Sequence, residues 1–144
     1  MGYNWDHEYF QKLDVQIDGS IHHDNGLDRN KDRYLLNASG DGYIAPEELF
    51  TELTKDVNGN FKLRSADGIV KTFGEDGRLL EMRDRNDNYM SFRYNLQNQL
   101  SEVIDTLGRT IQYQYIDSGV NTGRLDKIVD FKGREVDFTY DDNG

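Results

Sequence analysis

The chain has no cysteine and a single proline, Pro46, in 144 residues. Without cysteine there are no disulfides, no thiolate catalysis and no Cys-ligated zinc or iron–sulfur centre. Hydrophobic residues are also scarce at 35%, and no apolar run approaches the roughly 18 residues of a membrane span. Nor does the N-terminus carry the basic and apolar blocks of an export signal. Positive charge is short as well, with 17 Lys+Arg against 27 Asp+Glu and a net charge of -10. An acidic chain of this kind is a poor partner for nucleic acid or an anionic membrane, because both need clustered positive charge.

What the chain does have is 9 Tyr, 7 Phe and 14 Gly. That aromatic load separates it from disordered sequences and requires a core built on rings more than on aliphatic side chains. With proline almost absent, turns fall to residues that tolerate positive φ. Asp18-Gly19, Asn25-Gly26, Asp41-Gly42, Asn58-Gly59, Asp67-Gly68, Asp76-Gly77 and Asn143-Gly144 are hairpin-type dipeptides, most of them separated by short alternating runs. The expectation is an all-β antiparallel meander of repeated hairpins, a curved strip of sheet.

Internal repetition sharpens this reading. Leu79, Asp84, Phe92 and Tyr94 recur as Leu100, Asp105, Tyr113 and Tyr115, and again as Leu125, Asp130, Phe138 and Tyr140. The second interval is longer because residues 116–122 replace a tighter turn. In each unit the second strand alternates: Met90, Phe92, Tyr94; Ile111, Tyr113, Tyr115; Val136, Phe138, Tyr140. The first strand instead spaces its apolar residues by three (Leu79 and Met82, Leu100 and Val103, Leu125 and Ile128), which predicts a bulge or a change of face between them.

The glycines of Gly77-Arg78, Gly108-Arg109, Gly123-Arg124 and Gly133-Arg134 supply turn conformations costly for other residues. Asp84, Asp105 and Asp130 are suited to accept backbone amides of the following turn, and the aromatic rows to pack from hairpin to hairpin. Each unit then contacts mainly its neighbours.

Before residue 66 the pattern is less regular. Residues 15–21 read as a hairpin, 33–36 as a strand, and 61–63 with 69–73 as a second hairpin across Ser65-Ala-Asp-Gly68. Residues 46–53 are the one stretch with helical character, since Pro46 suits a first helical turn and Glu47 and Glu48 suit the dipole; an irregular strand is the alternative.

The units Gly77-Arg78-Leu79…Asp84…Phe92-Arg-Tyr94, Leu100…Asp105…Gly108-Arg109…Tyr113-Gln-Tyr115 and Gly123-Arg124-Leu125…Asp130…Gly133-Arg134…Phe138-Thr-Tyr140-Asp141 resemble the YD repeats of bacterial Rhs proteins. Related repeats occur in wall-associated proteins, toxin-complex C subunits and teneurins. Residues 32–73, with Asp41-Gly42-Tyr43 and Ala45-Pro46, are similar to the lead-in before the first repeats, as is Asn4-Trp5 to its entry. Asn95 and Ile116 depart from the pattern, because each stands where the Asp of the motif is expected after the tyrosine.

The resemblance implies a lead-in over 1–65 and repeats over 66–144 in one continuous structural domain, a fragment of a longer chain. It implies a non-enzymatic segment of a β-shell that encloses or presents a C-terminal toxin, in a protein that is secreted or on the cell surface. Its partners would be the remainder of that shell and the enclosed toxin. A strip cut from a continuous sheet would also expose an edge, so self-association, as a homodimer, is expected.

Asn37, Ser39, Asp41, the Tyr43 carbonyl and Glu48 fall at positions 1, 3, 5, 7 and 12 of an EF-hand template, with Gly42 at position 6, so calcium is the one cofactor this sequence suggests. A hairpin turn with solvated acids explains the same letters. His22-His23 would point to opposite faces of a strand and make a poor chelate, leaving isolated surface histidines, and His7 beside Trp5 reads as packing. No nucleophile elbow occurs. Tyr94, Tyr113, Tyr115, Phe138 and Tyr140 would serve either as core or as an aromatic platform for carbohydrate.

Overall fold

The computed structural model describes residues 8–26 and 31–141. Asn4-Trp5, His7 and Asn143-Gly144 lie outside the described residues. Within them the chain is all-β, with thirteen strands in two open antiparallel sheets. A single 3-10 turn, Glu8–Phe10, precedes the first strand. The chain divides into two compact units, described residues 8–89 and 90–141. The boundary expected at 65/66 falls inside one hairpin of the first unit.

The first unit holds the smaller sheet, with β1 (Lys12–Val15), β2 (Ile21–Asp24), β3 (Lys31–Leu36) and β4 (Tyr43–Ile44) side by side in chain order. The same unit contains β5 (Glu52–Lys55), β6 (Phe61–Arg64), β7 (Val70–Phe73) and β8 (Leu79–Arg83), again in chain order. Leu13, Ile21, Tyr34, Leu53, Phe61, Leu63, Phe73 and Leu79 of these two layers are buried, and the layers meet where His23 packs on Phe73 and Tyr43 on Phe61. Backbone pairing ties them directly: Leu13 N–H donates to the Gly77 carbonyl at 2.8 Å, beside an antiparallel bridge between Lys12 and Arg78. That approach needs glycine, since a Cβ on Gly77 would lie 1.9 Å from the Leu13 oxygen, and the residue sits at φ +88°.

The second unit is a meander of β9 (Tyr89–Tyr94, from its second residue), β10 (Leu100–Asp105), β11 (Thr110–Tyr115), β12 (Leu125–Val129) and β13 (Glu135–Asp137). Register places Phe92 opposite Val103, Val103 opposite Ile111, and Tyr113 opposite Ile128. These side chains therefore share one face, and Phe92, Val103 and Tyr113 are buried on it.

No helix forms over residues 46–53. Leu49 N–H closes a single turn on the Pro46 carbonyl, and Glu52 already begins β5. The alternation of Leu53 between exposed neighbours, and its position opposite Leu63, outweigh the local helix-start signals.

Candidate functional site

Eight hairpin turns among the described residues share one construction. They start at Gln16, Asp56, Ser65, Gly74, Asp84, Asn95, Asp105 and Asp130. In each, the first residue donates its N–H to the carbonyl of the fifth and accepts the N–H of the fourth on its own carbonyl. The fourth residue has positive φ: Gly19, Gly59, Gly68, Gly77, Asp87, Asn98, Gly108 and Gly133. This is a type I turn closed by a left-handed residue, not the two-residue hairpin that the Asp-Gly and Asn-Gly dipeptides suggest on their own. In four of these turns the left-handed residue is the glycine of such a dipeptide (Gly19, Gly59, Gly68 and Gly77), placed where expected but in a longer turn, whereas at Asp41-Gly42 the residue with positive φ is Gly40 and not Gly42. Asp87 and Asn98 occupy the same position because short polar side chains tolerate it best after glycine.

Every one of these turns carries a side-chain acceptor for the amide of its fifth residue. In five of them the acceptor is the first residue, whose side-chain oxygen takes the N–H of both the third and the fifth. Asp84 binds Asn86 and Asn88 at 2.8 and 3.0 Å, Asp105 binds Leu107 and Arg109 at 3.0 and 3.0 Å, and Asp130 binds Lys132 and Arg134 at 2.9 and 2.8 Å. Asp56 and Asn95 do the same. The other three turns use their third residue, Asp18, Asp67 or Asp76. Repeat letters alone missed Asp56 and Asn95; the signal that finds them is Asp or Asn three residues before a residue that tolerates positive φ.

The carboxylates of Asp18, Asp67, Asp84, Asp105 and Asp130 are stabilised as anions. Asp84 is held below the usual carboxylate range chiefly by Asn88, whose amide donates to it. For Asp105 and Asp130 desolvation pushes upward, and the turn amides together with Arg109 and Arg134 more than reverse it. Arg109 Nε reaches Asp105 at 2.7 Å, and Arg134 binds Asp130 in the same way. Arg78 turns instead to Asp76 at 2.6 Å. Arg124, in the lengthened loop, stacks over Tyr140 at 5.0 Å. Arg109 also lies over the ring of Phe131 at 4.7 Å, which links one turn to the next on the same side of the meander.

Between turns, the repeat is organised around a bulge. Phe73 stands opposite Leu79, Tyr94 opposite Leu100, and Tyr115 opposite Leu125; in each pair the register then slips by one residue, leaving Leu80, Ser101 and Asp126 unpaired. This explains the spacing of three in the first strand, and Leu79, Leu100 and Leu125 are at most 3% exposed. The tyrosine hydroxyls are engaged as well: Tyr115 donates to the Leu100 carbonyl and Tyr140 to the Leu125 carbonyl, both at 2.7 Å. Burial, with Tyr94 nearby, pushes the Tyr115 phenol up to about 12. Phe92 and Tyr113 are buried, so neither offers a sugar an open ring face; Tyr94, Phe138 and Tyr140 are half-buried, and Asp141 is exposed.

The EF-hand-like residues bond to one another. Asp41 Oδ1 accepts from Ser39 Oγ at 2.6 Å and Asn37 Nδ2 at 2.9 Å, while Asn37 Oδ1 accepts the Asp41 N–H at 3.1 Å. Those bonds hold the Asp41 carboxyl below its usual range. Tyr43 belongs to β4 opposite Leu36, and Glu48 is exposed in the turn closed by Leu49. Among the described residues no three His, Cys, Asp or Glu side chains stand together in a way that could hold a metal ion.

The histidine pair separates as strand geometry requires, but His23 is not a surface residue. It is 5% exposed, its Nε2 is 3.0 Å from Gln11 Oε1, and its ring meets Phe73 edge-on at 5.9 Å. Nδ1 lies 3.8 Å from Asp32. A cleft of about 350 Å³ opens here between the two layers of the first unit, lined by Gln11, His23, Asp32, Tyr34, Thr51, Asp67 and Lys71 among others. Tyr34 and Thr51 share a hydroxyl hydrogen bond of 2.7 Å across it. Burial, reinforced by Lys71 and opposed by Asp24, pulls the imidazole down to about 4, so it is neutral at physiological pH. A neutral imidazole can donate from Nε2 to the Gln11 oxygen, and this contact serves the packing of the layers. Among the described residues no nucleophile is bonded to it, and the Ser65 hydroxyl donates to the Ile69 carbonyl.

The chain matches no protein-family model and no curated protein.

Proposed function

We propose that the chain is a non-enzymatic structural segment of an Rhs/YD-type repeat protein, contributing wall to a β-shell that encloses or presents a C-terminal toxin. The observation that supports this reading is the threefold recurrence of an aromatic residue opposite leucine across a one-residue bulge (Phe73/Leu79, Tyr94/Leu100, Tyr115/Leu125). Such a module makes sheet by repetition, and its side-chain acceptors are consumed in its own turns, which suits a wall more than a reaction centre. The secreted or surface location follows from the same reading.

The test is the coding sequence downstream of residue 144, expressed together with this chain. Further Gly-Arg-Leu units followed by a distinct C-terminal domain, resistant to protease only while the repeats are intact, are expected. A stop codon directly after residue 144 in the native gene, or a C-terminal domain equally protease-resistant without the repeats, overturns the proposal.

A further inference from the structure

The last strand of the second unit is an incomplete copy of its predecessors. β9 and β11 each run six residues and end on Tyr94 and Tyr115, whereas β13 ends at Asp137, three residues short of the equivalent Tyr140. The missing residues are those that, in β9 and β11, face the following strand: Phe92 pairs with Val103 and Tyr94 with Leu100, Tyr113 pairs with Ile128 and Tyr115 with Leu125. Val136, counterpart of half-buried Ile111, is 57% exposed. The segment is nonetheless positioned. Phe138 N–H donates to the Asp126 carbonyl at 2.9 Å, Tyr140 donates its hydroxyl proton to Leu125, and Arg124 covers the Tyr140 ring. Because amides alternate sides along an extended chain, the inward Phe138 N–H turns the N–H groups of Asp137 and Thr139 outward.

We infer that the outer edge of residues 135–140 is a strand-acceptor site for an extended segment of the pattern Leu-x-x-Ile/Val. Its Leu would pair with Tyr140 and its Ile or Val with Phe138, with the residue after Leu bulged out. Two occupied copies in the same unit set that register, and continuity with them argues for this occupant over an arbitrary strand. A second copy of the chain is a weaker fit, because its own Leu-x-x-Ile/Val strands are already paired on both sides. The inference rests on the repeat reading only for strand order, and it is tested without the shell.

The probe is the peptide Gly-Arg-Leu-Asp-Lys-Ile-Val-Asp, the sequence of residues 123–130, added to the full chain and followed by amide hydrogen exchange. Slowing of exchange at Asp137 and Thr139 by on the order of tenfold is expected at saturating peptide. It should vanish when the peptide Leu is replaced by Lys, and in Thr139→Pro, which removes an outward donor and spares the bond from Phe138 to Asp126. No slowing at 135–140, equal slowing by the Lys peptide, or a dimer through this edge that the peptide does not displace would each overturn the inference. Failure here leaves the downstream reading-frame test untouched, so the two proposals fail separately.

Discussion

Tyr115 donates its hydroxyl proton to the carbonyl of Leu100 across 2.7 Å, and 25 residues later Tyr140 repeats the bond to Leu125 at the same distance. The carbonyl belongs to the residue immediately before a bulge, where ladder pairing is interrupted for Ser101 and Asp126. A side-chain donor supplied at that point satisfies a backbone acceptor that the slipped ladder serves poorly. Tyrosine therefore does more here than fill space.

Tyr115→Phe keeps the ring and removes the donor. A loss of about 1 kcal/mol is expected, more if the Leu100 carbonyl is left without water. Urea unfolding should show a lower midpoint at unchanged slope. Since the folded phenol is raised to about 12 from an ordinary 10.0, its contribution is fully present below pH 10 and is lost as pH rises toward 12. Alkaline unfolding of the wild type should carry this component, and Tyr115→Phe should lack it.

Gly77→Ala and Gly108→Ala separate conformation from contact. Both glycines have positive φ, but a Cβ on Gly108 meets nothing within 4 Å, whereas on Gly77 it meets the Leu13 carbonyl oxygen. Gly108→Ala is expected to cost about 1–2 kcal/mol, the left-handed penalty alone. Gly77→Ala should cost more and should speed amide exchange at Leu13, because the bond joining the two layers must give way. Equal losses in thermal unfolding would contradict the close approach.

Asp105→Ala and Asp105→Asn distinguish the acceptor from the charge. Asparagine still accepts from the amides of Leu107 and Arg109, as Asn95 does in its own turn; alanine cannot. Exchange of those two amides should accelerate on the order of tenfold in Asp105→Ala and little in Asp105→Asn. High salt should not reproduce the alanine effect, since exposed ion pairs such as Asp105–Arg109 contribute little.

His23 makes the first unit acid-sensitive. Its folded pKa is depressed to about 4 from 6.5, so the unfolded chain binds the proton more readily between those values. Stability is therefore full above pH 6.5 and falls as pH drops toward 4, by on the order of 3 kcal/mol from this group. His23→Gln, which keeps a donor for Gln11, should flatten the stability curve over that window. An unchanged slope would show that other groups govern it.

Much of the local structure is legible in the sequence. Spacing of three between Leu100 and Val103 announces the bulge at Ser101, and Gly108 before Arg109 announces a left-handed turn residue. Residues 46–53 mislead because Pro46, Glu47 and Glu48 are genuine helix-start signals over a single turn, while the competing signal, Leu53 opposite Leu63, lies in another strand. His23 misleads for the same reason. Nothing adjacent to it in sequence indicates that Gln11 and Phe73 will enclose it.

Order along the chain, by itself, determines the hairpins of this protein: the turn residues, the alternation and the bulges are settled within a few residues of each other, because hydrogen bonds from residue one to four and five of a turn are local. Tertiary structure alone decides how the smaller sheet meets β5–β8 in the first unit. Contacts such as Leu13 to Gly77 and His23 to Phe73 join residues 50 or more positions apart in the sequence, and their cost and gain depend on groups that only folding brings together. The acidic composition belongs to the local part. Asp18, Asp56, Asp67, Asp76, Asp84, Asp105 and Asp130 are each an acceptor inside a turn, and the net charge of -10 is in good measure the sum of that repeated device.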